Sequence, residues 1–160
     1  MQEPYSVRWA RKQHALGAGS LASRMIPCGS VVLPDSAAPC LSFDDAENPK
    51  PIFEVFGAPF DWSSADRERL SAYLVIGSDG SGSPICLERA TGRILLLDHD
   101  NDFRTVQFVN SNLTCLAECL LAYMGETSTN EFFIAVRGID PPAAAVGAFW
   151  AVEAAMLNDA

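Results

Sequence analysis

Two histidines, five cysteines, an acidic run around His99 and a glycine-rich run after Ile76 are the places where this chain could do chemistry. His14 and His99 are the only side chains whose ordinary pKa suits general base work near neutrality. Asp98-His99-Asp100-Asn101-Asp102 alternates acids in the manner of a calcium loop. An EF-hand loop starting at Asp98 needs glycine at its sixth position and glutamate at its twelfth, where Phe103 and Val109 stand. One histidine beside carboxylates is a weak divalent site; an exposed acidic turn, with Asp98 bonding the turn backbone, is the simpler reading.

Gly77-Ser78-Asp79-Gly80-Ser81-Gly82-Ser83-Pro84 invites comparison with phosphate loops. A Walker loop requires lysine after its last glycine, and no lysine follows Lys50. A dinucleotide loop requires G-x-G-x-x-G opening a helix, whereas the order here is G-x-x-G-x-G and an apolar, strand-like run follows. The segment is read as a hairpin connection.

The cysteines, Cys28, Cys40, Cys86, Cys115 and Cys119, are odd in number and contain no C-x-x-C, which argues against a disulfide framework or a zinc ribbon. Cys115 and Cys119 have helical spacing. They are either half of a metal site lacking its other ligands or two small apolar residues. Cys86 and His99 could form a nucleophile–base pair, since such residues need not be neighbours in sequence. Cys86, however, sits inside an apolar run, where burial explains it. There is no G-x-S-x-G elbow, and paired carboxylates in so acidic a chain identify nothing. The sequence therefore predicts no catalytic residue, no cofactor and no metal site.

The elements that would position these residues follow from short apolar runs between turn residues. Three central antiparallel strands are expected at about residues 71–77, 84–89 and 93–98. Cys40–Phe43 and Ile52–Phe56 have strand composition, and Val106 and Phe108 alternate with Thr105 and Gln107 in one more. Leu113, Leu116, Leu120 and Met124 recur at helical steps. Phe132–Val136 fits a strand or a helix; helix is chosen, with Thr129 as its cap. Asp140-Pro141-Pro142 is read as the start of a last helix, because aspartate can cap and proline suits a first turn. Tyr5, Trp9, Leu16, Leu21, Met25 and Ile26 are compatible with an irregular helical face. The expected fold class is α+β: one domain over residues 1–160, a mostly antiparallel sheet of about five to six strands, and helices at one face and at the C-terminal end.

Composition bounds the function. The chain has 160 residues, 49% hydrophobic and 19% charged, enough for a sizeable core and too apolar for a largely disordered protein. No run approaches the roughly 20 apolar residues of a membrane helix. The first residues are too polar for a signal peptide, so a cytoplasmic protein is expected. The net charge is −9 and uneven: residues 1–43 carry +2, residues 44–102 carry −7 and residues 103–160 carry −4. Such a middle repels phosphate backbones, so direct nucleic-acid binding is not expected. It suits either plain solubility or a basic protein partner drawn in by attraction.

The order of motifs carries a resemblance. An apolar strand, Gly77-Ser78-Asp79-Gly80 with Gly82, a second strand, Thr91-Gly92, a third strand and Asp98-His99 resemble the SUKH superfamily. Its members are bacterial immunity proteins that bind and neutralise toxins, related to a fungal cell-wall synthesis regulator. Phe108-Val109-Asn110-Ser111-Asn112-Leu113, Ile139-Asp140-Pro141 and Phe149-Trp150 extend the resemblance, which covers about residues 31–157. It implies a non-catalytic binding protein whose partner is a toxin, here expected to be a basic, nuclease-like domain. It also admits a regulatory domain binding a host protein, and a small Cys86/His99 enzyme is the third reading. The acidic residues proposed to meet the partner are Asp44, Asp45, Glu47, Asp61, Asp66, Asp79, Asp98, Asp100 and Asp102, with Trp62 among them. No membrane partner is expected.

Overall fold

A computed structural model of the chain describes residues 8, 11, 25–37, 40–56, 62–125, 128–145 and 147–159. Strands β1 (Met25–Cys28) and β2 (Val31–Pro34) pair antiparallel around a turn at Gly29, whose φ of +57° suits a residue without Cβ. Met25 and Ile26 are thus in a strand rather than on a helical face. Ile26, Cys28 and Leu33 are all buried, and within β1 the buried residues are spaced by two, as a strand requires. Tyr5, Trp9, Leu16 and Leu21 lie outside the described residues.

β3 (Ser36–Ala37) and β4 (Leu41–Ser42) come next, then a 3-10 turn at Asp44–Glu47, and then β5 (Lys50–Pro51). Ile52–Val55, read from sequence as part of a strand, is a single helical turn, α1. Pro51 offers no N–H to extend the ladder. The turn brings Ile52 and Phe56, four residues apart, into one apolar cluster with Leu70 and Phe103. In α2 (Ser64–Leu70) the Ser63 hydroxyl caps the helix by accepting the Asp66 N–H at 3.1 Å.

The main sheet is completed by β6 (Tyr73–Ser78), β7 (Pro84–Glu88), β8 (Ile94–Leu97) and β9 (Val106–Asn110). It has seven strands in the order β3-β4-β6-β7-β8-β9, with β5 also on β6, and its pairings are antiparallel. This is the expected α+β arrangement. The extra strands are two residues long, too short for a periodic signal. Gly77 explains the break at the end of β6. A Cβ there would lie 2.2 Å from the Ser42 carbonyl oxygen, so only glycine lets β4 approach.

α3 (Leu113–Gly125), α4 (Thr129–Ile139) and α5 (Phe149–Asp159) follow the sheet. Phe132–Val136 is helical as expected, but the cap is Ser128, whose hydroxyl accepts the Glu131 N–H at 3.1 Å. The expected last helix is divided. Pro141–Ala144 is a 3-10 turn, and α5 begins only at Phe149. Strand alternation gives the sheet two apolar faces. Ile76, Ile85, Ile94 and Val109 pack with Leu116, Phe132 and Trp150 of the long helices. Val75, Cys86, Leu95 and Leu97 pack with Ile52, Leu70 and Phe103. Both hairpin loops, β6–β7 and β8–β9, fall at the same end of the sheet.

Candidate functional site

The loop between β6 and β7 is organised by one carboxylate. Asp79 Oδ1 accepts from the Ser81 N–H (2.9 Å), the Ser81 hydroxyl (2.8 Å) and the Ser83 N–H (3.0 Å). Short side chains that bond their own backbone favour this turn. Gly82, at φ +93°, completes it. In the β8–β9 loop Asp98 does the same work, its Oδ1 accepting the Asp100 N–H at 2.9 Å. The two loops are joined through Ser83. Its oxygen lies 2.8 Å from His99 Nδ1 and accepts the His99 N–H at 3.2 Å.

Ser83, His99 and Asp100 are the residue types of a hydrolytic triad, and His99 Nε2 lies 3.3 Å from Asp100 Oδ1. The serine is nevertheless 3% exposed and held by a second donor, so the arrangement is a latch between loops. Asp98, His99 and Asp100 also present ligand atoms within 4.8 Å of one another. Ser83 occupies Nδ1 of His99, and Nε2 faces Asp100, itself one of these three groups. Cys86 belongs to the opposite apolar cluster, where burial pushes its thiol far up. His99 bonds to Ser83 and Asp100 instead of Cys86.

Beyond this latch a groove of about 830 Å³ opens between the loops, β9 and the segment after Pro141. Asp79, Asp98 and Asp100 supply its charge, and none of its described lining residues is basic. Leu96, Phe108, Pro142 and Ala148 supply apolar surface. The remaining proposed contact residues lie elsewhere. Asp44, Asp45 and Glu47 line a smaller hollow of about 350 Å³ with Lys50. Burial and the neighbouring Asp44 raise the Asp45 pKa, while Lys50 lowers it.

Asp66 and Asp102 gather around Arg69, whose guanidinium donates to the Phe103 and Asp102 carbonyls at 3.0 and 3.2 Å and meets Asp66 Oδ1 at 3.4 Å. The Ser63 hydroxyl, and then Arg69, hold the Asp66 carboxyl below its ordinary value. Phe103 needs this support, because it is a bulky residue at φ +61°. Trp62 packs on the Phe103 ring at 5.8 Å and donates its indole N–H to the Phe56 carbonyl at 2.8 Å. Asp61 is outside the described residues.

Two groups escaped the sequence reading. Glu153, on α5, is 3% exposed, and burial with the nearby Asp79 pushes its carboxyl up to about 7. Its Oε2 accepts from the Tyr123 hydroxyl at 3.5 Å. Asp140, read as a helix cap, caps nothing. Its carboxylate accepts from Asn110 Nδ2 (2.9 Å), the Ser111 N–H (2.8 Å) and the Ser111 hydroxyl (2.7 Å). Asn110 Oδ1 accepts in turn from Trp150 Nε1 at 2.9 Å. This network ties β9, the end of α4 and α5 behind the groove. A capping aspartate followed by prolines was the available signal, and it pointed to the wrong partner.

Residues 29–157 match the family model described as SUKH-4 immunity protein. No curated protein and no solved structure matches the chain.

Proposed function

The chain belongs to the SUKH-4 immunity protein family, and on that premise we propose that it neutralises a protein toxin by binding it through the acidic groove. The family points to a toxin-immunity role. The observation that carries the finer reading is the groove itself, whose described charged lining residues are all aspartates. Its carboxylates are set by their own loops before any partner arrives, so little ordering is left for binding to impose. A basic face on the toxin, as on a domain that acts on nucleic acid, would be steered toward it. The proposed action is occlusion: the partner's active face is covered and no bond is made or broken.

The test is co-expression with a toxin domain, sought among the products of neighbouring genes and among proteins that co-purify with the chain from its host. The wild-type chain is expected to restore growth and to bind the purified domain. Asp100→Lys reverses the exposed charge among the groove's described aspartates. That variant is expected to slow association and flatten its salt dependence. Unchanged association would remove this surface. A Cys86/His99 enzyme would lose protection on Cys86→Ala or His99→Ala, whereas occlusion predicts that Cys86→Ala still protects.

Among the described residues no helix is long and apolar enough to cross a membrane.

A further inference from the structure

We propose that what enters the groove is an extended basic segment of the toxin, which adds as a further strand to the open edge of β9. The proposal rests on the toxin-binding reading and names how the partner engages. Among the described residues β9 is the last strand of the sheet and pairs only with β8. The Asp98 N–H donates to the Thr105 carbonyl at 3.0 Å, which makes Asp98 and Thr105 a hydrogen-bonded pair. Bonded and non-bonded pairs alternate along an antiparallel ladder. Leu97 opposite Val106, and Leu95 opposite Phe108, are then the non-bonded pairs. The backbone N–H and C=O groups of Val106 and Phe108 therefore point away from β8, toward the open edge. Among the described residues no turn, loop or side-chain group bonds to them.

Natural sheets cover or blunt such edges, and β9 is covered along only half its length. Val109 and Asn110 are buried, whereas Val106 is 44% exposed. The groove opens along the uncovered half, and Gln107 Nε2 pins its far wall by donating to the Gly147 carbonyl at 3.2 Å. Strand addition would satisfy the outward backbone groups, and side-chain pockets would supply specificity. Alternate side chains of an added strand face the same way. Those facing this groove would meet Leu96 and Ala148 with Asp79, Asp98 and Asp100 around them. That lining selects an apolar side chain flanked by lysine or arginine.

Two substitutions in the full chain separate the possibilities. Val106→Pro removes one outward N–H and leaves the β8 ladder intact, as proline is tolerated on an edge strand. Val106→Thr keeps both the N–H and the β-branched shape. Against the same toxin domain, purified, Val106→Pro is expected to raise Kd by about tenfold, the effect of losing one buried hydrogen bond. Val106→Thr is expected to change it by less than about twofold. In the wild-type complex the Val106 and Phe108 amides should exchange slowly with solvent.

Equal affinity of Val106→Pro and wild type, with the wild type still protecting cells, would overturn strand addition and leave the immunity reading standing. Should Val106→Pro fail to fold, the wild-type exchange pattern decides, and unprotected amides overturn the proposal. If Val106→Pro dissolves a homodimer without altering toxin affinity, the edge belongs to a second copy and the proposal fails. A wild-type chain that neither binds nor protects overturns both readings together.

Discussion

Replacing Asp140 by alanine tests whether the buried network behind the groove holds the sheet to the C-terminal helices. Asp140 is 3% exposed and Asn110 is 0% exposed, so water cannot easily take over their bonds. Alanine would leave three donors, Asn110 Nδ2, the Ser111 N–H and the Ser111 hydroxyl, without the carboxylate they now share. A hydrogen bond to a charged group contributes about 1.5–3 kcal/mol, and an unsatisfied buried donor costs about 1–3 kcal/mol. Because the three bonds share one acceptor they do not add fully, and about 4 kcal/mol is expected in total. That is a large part of the roughly 5–15 kcal/mol that stabilises a domain.

Asp140→Asn separates charge from shape. Its carbonyl oxygen can replace Oδ2 toward Asn110 and the Ser111 N–H, while its amide donates to the Ser111 oxygen. About 1–2 kcal/mol should be lost. Urea unfolding is the assay. With a slope of about 2.5 kcal/mol per molar, the midpoint should fall by about 1.6 M for Asp140→Ala and about 0.6 M for Asp140→Asn. An Asp140→Ala midpoint within about 0.4 M of wild type, or equal shifts for the two variants, would refute the reasoning.

Gly77→Ala should destabilise by about 3 kcal/mol or more, because the added Cβ meets backbone that cannot step aside. The clash is 2.2 Å to the Ser42 oxygen and 2.8 Å to the Phe43 ring, and a urea midpoint unchanged from wild type would contradict it. Glu153 predicts a pH dependence. Its folded pKa of about 7 lies above the ordinary 4.5, so between those values the folded state binds more protons than the unfolded state. Its contribution to stability is therefore full below about pH 4.5 and is lost as pH rises toward about 7. The stability of wild type relative to Glu153→Gln should fall over that window, as read from urea midpoints at several pH values. Parallel curves would show that Glu153 does not titrate there.

Much of the fold was legible because local chemistry decides it. The runs around Leu74–Ile76, Ile85–Leu87 and Ile94–Leu97 are apolar and are broken by residues that favour turns, so three adjacent strands follow from nearest-neighbour physics. The spacing of Leu113, Leu116 and Leu120 gives α3 in the same way. Ile52–Phe56 was misread because a run of five residues is too short to show a helical period. What made it helical was the fit of Ile52 and Phe56 against Leu70 and Phe103, which are distant in sequence. The Met25–Pro34 hairpin escaped because its strands are four residues each.

The sequence by itself determined that the turn around His99 is no EF-hand, that the glycine-rich loop is no phosphate cradle, and that the middle of the chain is acidic. Those conclusions rest on residue identity and spacing, which folding does not alter. Only the tertiary structure decided which acids act together. The antiparallel topology places the β6–β7 and β8–β9 loops at one end of the sheet, and this brings Asp79 to the groove of Asp98 and Asp100. The same topology leaves Asp44 and Asp45 in another hollow and Asp66 beside Arg69. Tertiary structure also turned Asn110-Ser111, Asp140 and Trp150 into one hydrogen-bonded unit, since a buried carboxylate must find donors wherever the chain brings them.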